Sequence, residues 1–158
     1  MTRTGEMEET VLVRNLRPND LAAVIALDAK NSGRRRDEYF KLKLEQNLAE
    51  TGVKISLAAE KDGIFVGFLL ARLFYGEFGA PEPAAVLDTF GVHPEFRRQG
   101  VGSGLLRQLS QNLGGLGVND LRTEVDWDDQ TLLTFFHDKG FRPAQRLCLS
   151  LDLTERRE

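Results

Sequence analysis

Between Val86 and Leu106 the chain reads VLDTFGVHPEFRRQGVGSGLL, and this stretch limits the fold more than any other. An apolar run leads into a turn made of Arg97, Arg98, Gln99, Gly100, Val101 and Gly102. Directly behind it Val101, Leu105, Leu109 and Leu113 recur at helical spacing as one apolar stripe. A strand that turns this abruptly into an amphipathic helix sets the helix N-terminus, with its unpaired N–H groups and partial positive charge, at the strand's end. Glycines at 100 and 102 remove side chains there, so that backbone N–H groups can approach a ligand. The arginines beside them favour an anion, most simply a pyrophosphate. Two familiar phosphate motifs fit badly. No lysine follows the glycines, as a Walker loop requires, and the third glycine of a dinucleotide fingerprint falls on Leu105.

The rest of the chain predicts a sheet for this unit to join. Residues 11–17 alternate weakly and read as a first strand, and Arg17-Pro18-Asn19-Asp20 starts a helix carrying Leu21, Val24, Ile25 and Asp28. A second helix is expected over residues 37–49, with Phe40, Leu44 and Leu48 as its stripe. Beyond Gly52 the period changes to two, with Val53, Ile55 and Leu57 on one face. Asp62-Gly63 signals a hairpin turn, returning as a nearly continuous apolar strand over residues 64–74 that reads as buried on both faces. Strands are further expected over residues 84–92 and 118–125. A helix capped by carboxylates among Asp126–Asp129 should end at Gly140, and a last strand over residues 146–153 alternates Leu147, Leu149, Leu151 and Leu153. Hairpins ahead of a strand–helix–strand part imply an α/β (α+β) domain with a mixed, mostly antiparallel sheet flanked by helices.

Composition narrows the function. With 158 residues, 41% hydrophobic and 28% charged, the chain reads as one ordinary globular domain over 1–158. A net charge of −3 gives no general field for polyanions, so no nucleic acid is expected as a partner. Cys148 is the only cysteine, which leaves no internal disulfide and no thiolate metal site. Residues 1–10 carry no apolar signal core, and the apolar run over 64–74 contains Arg72 and falls short of the ~20 residues of a membrane span. A cytoplasmic protein with no membrane segment and no metal is expected. The final strand would be an edge on which a second copy could pair, giving a homodimer.

The arrangement V-x-P-x-x-R-x-x-G-x-G, here Val92-His93-Pro94-Glu95-Phe96-Arg97-Arg98-Gln99-Gly100-Val101-Gly102, resembles the GNAT superfamily of acetyl-CoA-dependent N-acetyltransferases. The run from Asp129 through Leu132, Phe135 and Phe136 to Gly140-Phe141 partly matches a second feature of that family. The resemblance implies acetyl-CoA as cosubstrate and an amine as acceptor. It implies that Phe90, Gly91 and Val92 hold the pantetheine arm through the main chain. It implies that Arg97, Arg98, Gln99, Gly100, Val101, Gly102 and Ser103 hold the pyrophosphate, with Asp129 and Phe136 also beside the coenzyme. Three residues depart from the family pattern: Asp129 replaces an asparagine, Leu132 a small alanine, and Phe136 the tyrosine that often protonates the departing thiolate. Phenylalanine has no proton to give, so Phe136 reads as a packing residue.

Acyl transfer requires a free amine, and a lysine-like amine with a pKa of about 10.4 is mostly protonated at neutral pH. Asp88, a charge inside an apolar strand, is the first candidate base, against a structural carboxylate at a strand edge; Glu124 is the second, against a solvated strand face. His137 is expected to face solvent, and Tyr75 could act as an acid only if the loop over residues 76–79 folds over the site. Arg34-Arg35-Arg36 reads as an exposed basic run rather than a contact for an acidic substrate or the coenzyme's 3′-phosphate. Trp127 is read either as a wall of the acceptor site or as packing beside a helix start, and Cys148 as buried. Against the N-acetyltransferase stand a non-catalytic acyl-CoA-binding module and a nucleotide-binding protein.

Overall fold

In the computed structural model, which describes residues 11–49 and 54–155, Asp62 and Gly63 turn the chain with φ of 53° and 78°. Two consecutive positive values are what a two-residue hairpin needs to match strand twist. The turn joins β2 (Leu57–Lys61) to β3 (Ile64–Phe74). With β1 (Leu12–Asn15), β4 (Ala84–Val92) and β5 (Leu121–Thr123) they form one sheet in sequence order, antiparallel except for the parallel β4–β5 pair. The helices are α1 (Leu21–Ser32), α2 (Asp37–Ala49), α3 (Val101–Gly115) and α4 (Gln130–Asp138). The chain divides into two compact units after Glu124: the first holds the sheet and α1–α3, the second α4. Gly52 and Val53, assigned above to the start of a period-two segment, lie outside the described residues, as do residues 1–10.

β3 and β4 separate two layers of the core. Phe68 and Leu70 join Val24, Leu27, Phe40 and Leu44 of α1 and α2 in one buried cluster. Residues of the other parity on β3 face α3, because side chains alternate across a strand. A Cβ on Gly67 would lie 2.8 Å from Val101 Cγ1 and 3.1 Å from Leu105 Cδ1. On the opposite face a Cβ on Gly91 would lie 2.8 Å from Phe68 Cε1 and 3.2 Å from Leu27 Cδ2. The absent side chains let α3 and α1 approach the same strand pair from both sides. The α3 stripe of Val101, Leu105, Leu109 and Leu113 is buried as its spacing demands.

Arg14 ties the edge of the sheet to the start of α1. Its guanidinium donates to both oxygens of Asp20 at 2.8 Å, and its Nε donates to Glu60 Oε2 of β2 at 2.6 Å. Asp20 also accepts the Arg17 N–H at 2.7 Å. Burial works to raise the Asp20 pKa, but the hydrogen bonds from Arg14 and Arg17 and their charges outweigh it, leaving the carboxyl below its ordinary value. Asp28, the polar member of the α1 stripe, is buried and receives Arg36 Nε at 2.9 Å.

Two expectations fail. The strand expected over 118–125 shortens to Leu121–Thr123. Residues 146–152 form no strand: Leu147, Leu149, Leu151 and Leu153 are exposed, and Cys148, expected to be buried, is exposed with them. Alternation permits a strand, but a ladder also needs a neighbour to pair with.

Gly67→Ala should lower the unfolding free energy by about 1–3 kcal/mol in urea titration, since Val101 and Leu105 must shift to admit the methyl group. Asp20 has a depressed pKa in the fold, so its contribution is complete above the ordinary carboxylate range and is lost as pH falls through the folded value. Thermal melts from pH 7 to pH 2 should show a shallower loss of Tm in Asp20→Asn than in wild type, from a lower starting point.

Candidate functional site

The last rung of the β4–β5 ladder pairs Leu87 with Thr123, whose hydroxyl donates to the Leu87 carbonyl at 2.9 Å. β5 stops there, while β4 runs on to Val92. From Asp88 to Val92 the edge of β4 turned away from β3 therefore has no neighbouring strand among the described residues. Buried backbone N–H and C=O groups require partners, so such an edge suits an extended ligand that carries amides of its own. Asp88 and Glu124 are each the first residue beyond the last rung; Asp88 is largely buried and Glu124 is exposed.

Asp88 is displaced by a β-bulge. Leu70 pairs with Thr89 and Ala71 with Leu87, so Asp88 is the extra residue of β4. Asp88 and Thr89 both meet α2: Tyr39 Oη lies 2.8 Å from Thr89 Oγ1, and Lys43 Nζ lies 3.4 Å from Asp88 Oδ2. Tyr39 and Lys43 are four residues apart and share one face of the helix. Arg72 Nε of β3 approaches the same Asp88 oxygen at 3.5 Å. The sequence reading found Asp88 but not the cations around it. Arg72 was visible as the charge within an apolar run; Lys43 could be recognised only once α2 was laid on the sheet.

Beyond Val92 the chain makes one 3-10 turn, Pro94–Phe96, steadied by His93 Nδ1, which accepts the Glu95 N–H at 3.1 Å. Arg98 then takes φ of 66° and Gly100 φ of 81°, and α3 begins at Val101. A Cβ on Gly100 would meet nothing within 4 Å, so its need for glycine is conformational: L residues avoid this region. Left-handed residues just before a helix turn successive N–H groups toward one side, the geometry that binds anions. The side chains here divide by role. Val101 is buried under the sheet, leaving only its backbone for a ligand. Gln99 Oε1 accepts from Lys61 Nζ at 2.8 Å, tying the loop to the β2–β3 hairpin. Arg97 donates to Asn31 Oδ1 at 2.7 Å, and Asn31 Nδ2 donates to the Val92 carbonyl at 3.1 Å, so the end of α1 clamps β4 and the loop together. Among the described residues no such tie engages the side chain of Arg98 or Ser103; Arg98 is exposed.

In the second unit, Asp129 caps α4, its Oδ1 accepting the Leu132 N–H at 3.1 Å. Phe136 is buried and packs edge-on against Phe135 and Phe141. Trp127 is exposed, and so is His137. In the first unit Tyr75 is exposed, Arg35 pairs with Asp37, and Arg36 pairs with Asp28 over the Tyr39 and Phe40 rings. Two of the three consecutive arginines thus serve the fold.

The acetyltransferase (GNAT) family model matches residues 21–141, a span that includes every element from α1 to α4. An aminoglycoside 6′-N-acetyltransferase from Acinetobacter baumannii is 19% identical, with a TM-score of 0.76 over 90% of this chain and 98% of its own. An aminoglycoside N-acetyltransferase solved in complex with CoA is 19% identical, with a TM-score of 0.75 over 90% of this chain and 95% of its own. A ribosomal-protein-alanine N-acetyltransferase from Brucella melitensis biovar Abortus 2308 is 18% identical, with a TM-score of 0.72 over 90% of this chain and 99% of its own.

With coenzyme A as probe, Arg98→Ala should weaken binding about three- to tenfold at low salt and less at high salt, as a partly exposed charge contact does. Arg97→Ala should cost less, because Arg97 is already engaged by Asn31. Titration calorimetry at two salt concentrations measures both; equal losses would remove the distinction.

Proposed function

The chain belongs to the acetyltransferase (GNAT) family, and from that premise we propose that it moves an acetyl group from acetyl-CoA to a primary amine bound beside Asp88. The observation that carries this reading is the single-sided edge of β4 over 88–92 running into the Arg98–Gly100 turn and the N-terminus of α3. These features fit the coenzyme: the backbone of Phe90, Gly91 and Val92 would hold the pantetheine amides, and the N–H groups from Gln99 to Ser103 the pyrophosphate, with Arg98 alongside. Gln99 and Val101 contribute through the backbone alone, since their side chains are engaged elsewhere. When bound, acetyl-CoA supplies the thioester carbonyl as electrophile.

The amine's proton falls to this chain. Asp88 accepts it, directly or through one water, from its place at the bulge beside Lys43 and Arg72. Glu124, exposed at the first position beyond the last rung, is the alternative base. Phe136 has none to give, and a thiol with a pKa near about 8.5 leaves tolerably as thiolate. The absence of a phenol at Phe136 is also what favours the second reading, a module that binds acyl-CoA without turning it over. A cytoplasmic setting accords with the lone, exposed Cys148.

Asp88→Asn should reduce kcat/KM by about 10²-fold, within the range for a positioned base, and leave coenzyme A affinity unchanged. The deficit should shrink as pH rises toward the pKa of the amine, where solvent supplies the free base. A pH–rate profile of thiol release on one good acceptor decides the matter: an unchanged rate across neutral pH would take Asp88 out of the mechanism. Coenzyme A binding without turnover on any amine class would establish the binding module instead.

A further inference from the structure

We infer that the acceptor is an amine carrying a carboxylate close to its nitrogen, an amino-acid-like zwitterion, recognised by Lys43 and Arg72. The inference rests on the transferase reading above and adds the substrate class. Around the proposed base two cations meet one carboxylate. Lys43 and Arg72 both approach one oxygen of Asp88, at 3.4 and 3.5 Å, and share its single negative charge. Arg122 is cross-strand from Val86, which in turn is cross-strand from Arg72, so the three side chains form a row on one face. Arg72 and Arg122 lie over the ring of Phe74, at 5.9 and 5.6 Å from its centroid. Arg122 is engaged by Asp120 at 2.7 Å, and among the ion pairs of the described residues Lys43 and Arg72 share Asp88.

The two contacts to Asp88 are also long. A tight charge-assisted N–H···O bond measures about 2.7–2.9 Å, so neither cation is committed to Asp88 as Arg14 is to Asp20. The Arg72 side chain is 49% exposed and open to a ligand. One carboxylate flanked by two loosely held cations is the complement of an ammonium flanked by a carboxylate. An arriving zwitterion places its ammonium at Asp88 and its carboxylate between Lys43 and Arg72, so that each charge faces an opposite one. A polycationic amine finds one carboxylate and a surplus of like charge, which costs affinity. In the transfer itself the amine nitrogen forms the N–C bond and loses a proton to Asp88 or water. The C–S bond breaks, and its electron pair leaves with the coenzyme as thiolate.

The test compares acceptors that differ only in that anion: free amino acids, the same amino acids as carboxamides, and an aminoglycoside. Each is assayed by thiol release with wild type, Arg72→Gln, Lys43→Gln and Arg72→Lys. Wild type should prefer the free acid over its carboxamide by about tenfold or more in kcat/KM. In Arg72→Gln and Lys43→Gln that ratio should fall toward one, and Arg72→Lys should recover part of it, while calorimetry shows unaltered coenzyme A affinity throughout. A role of Arg72 in the fold alone would change both acceptors together and leave the ratio where it was. The inference is overturned if the carboxamide or the aminoglycoside matches the free acid in wild type, or if the preference survives both glutamine variants. In those cases acetyl transfer is still observed and the transferase reading stands. If no amine releases thiol, both fall together.

Discussion

The arrangement of the first unit turns on β4 outlasting its neighbour. Three rungs join it to β5, over Ala85–Leu87, and the Thr123 hydroxyl closes the ladder on the Leu87 carbonyl. The bulge follows at the next residue. A bulge bends its strand and sharpens the local twist, so β4 is re-aimed where the parallel pairing ends. The bulge brings Asp88 to Lys43, and the stretch of β4 beyond it leads to the start of α3.

Holding that edge against the α3 N-terminus falls to packing well away from the reacting groups. Gly67 admits Val101 and Leu105 close to β3, which seats the first turns of α3 on the sheet. Gly91 does the same for Phe68 and Leu27 on the other face, and the end of α1 then reaches Val92 and Arg97 through Asn31. A methyl group at Gly67 would therefore shift the first turns of α3 and the loop leading into them, so stability and ligand geometry cannot be varied independently there.

Features decided by a few adjacent residues were legible in the sequence. Asp62-Gly63 names its own turn, the four-residue recurrence from Val101 to Leu113 names its buried face, and the glycine-rich turn names the helix start. Asp88 stood out because a charge in an apolar run requires a reason. What the sequence left unread depends on register. No local signal says that Leu70 faces Thr89 while Ala71 faces Leu87, and without that bulge Lys43 and Arg72 have no shared partner. The alternating leucines from 147 to 153 misled for the complementary reason: a period of two reports what a strand would do if paired, and pairing belongs to the partner. Cys148 went wrong with them.

The two halves of the site answer to different kinds of chemistry. The proposed coenzyme site is laid on the backbone, through β4 and the N–H groups of a turn, so it depends on few side chains. The fold itself is shared at TM-scores of 0.72 to 0.76 with 18–19% identity. The proposed acceptor side is built from side chains on α2, β3 and β4, namely Lys43, Arg72 and Asp88. Fold likeness accordingly says little about the acceptor. For the proposed acceptor the informative feature is the bulge itself, where two cations share one carboxylate.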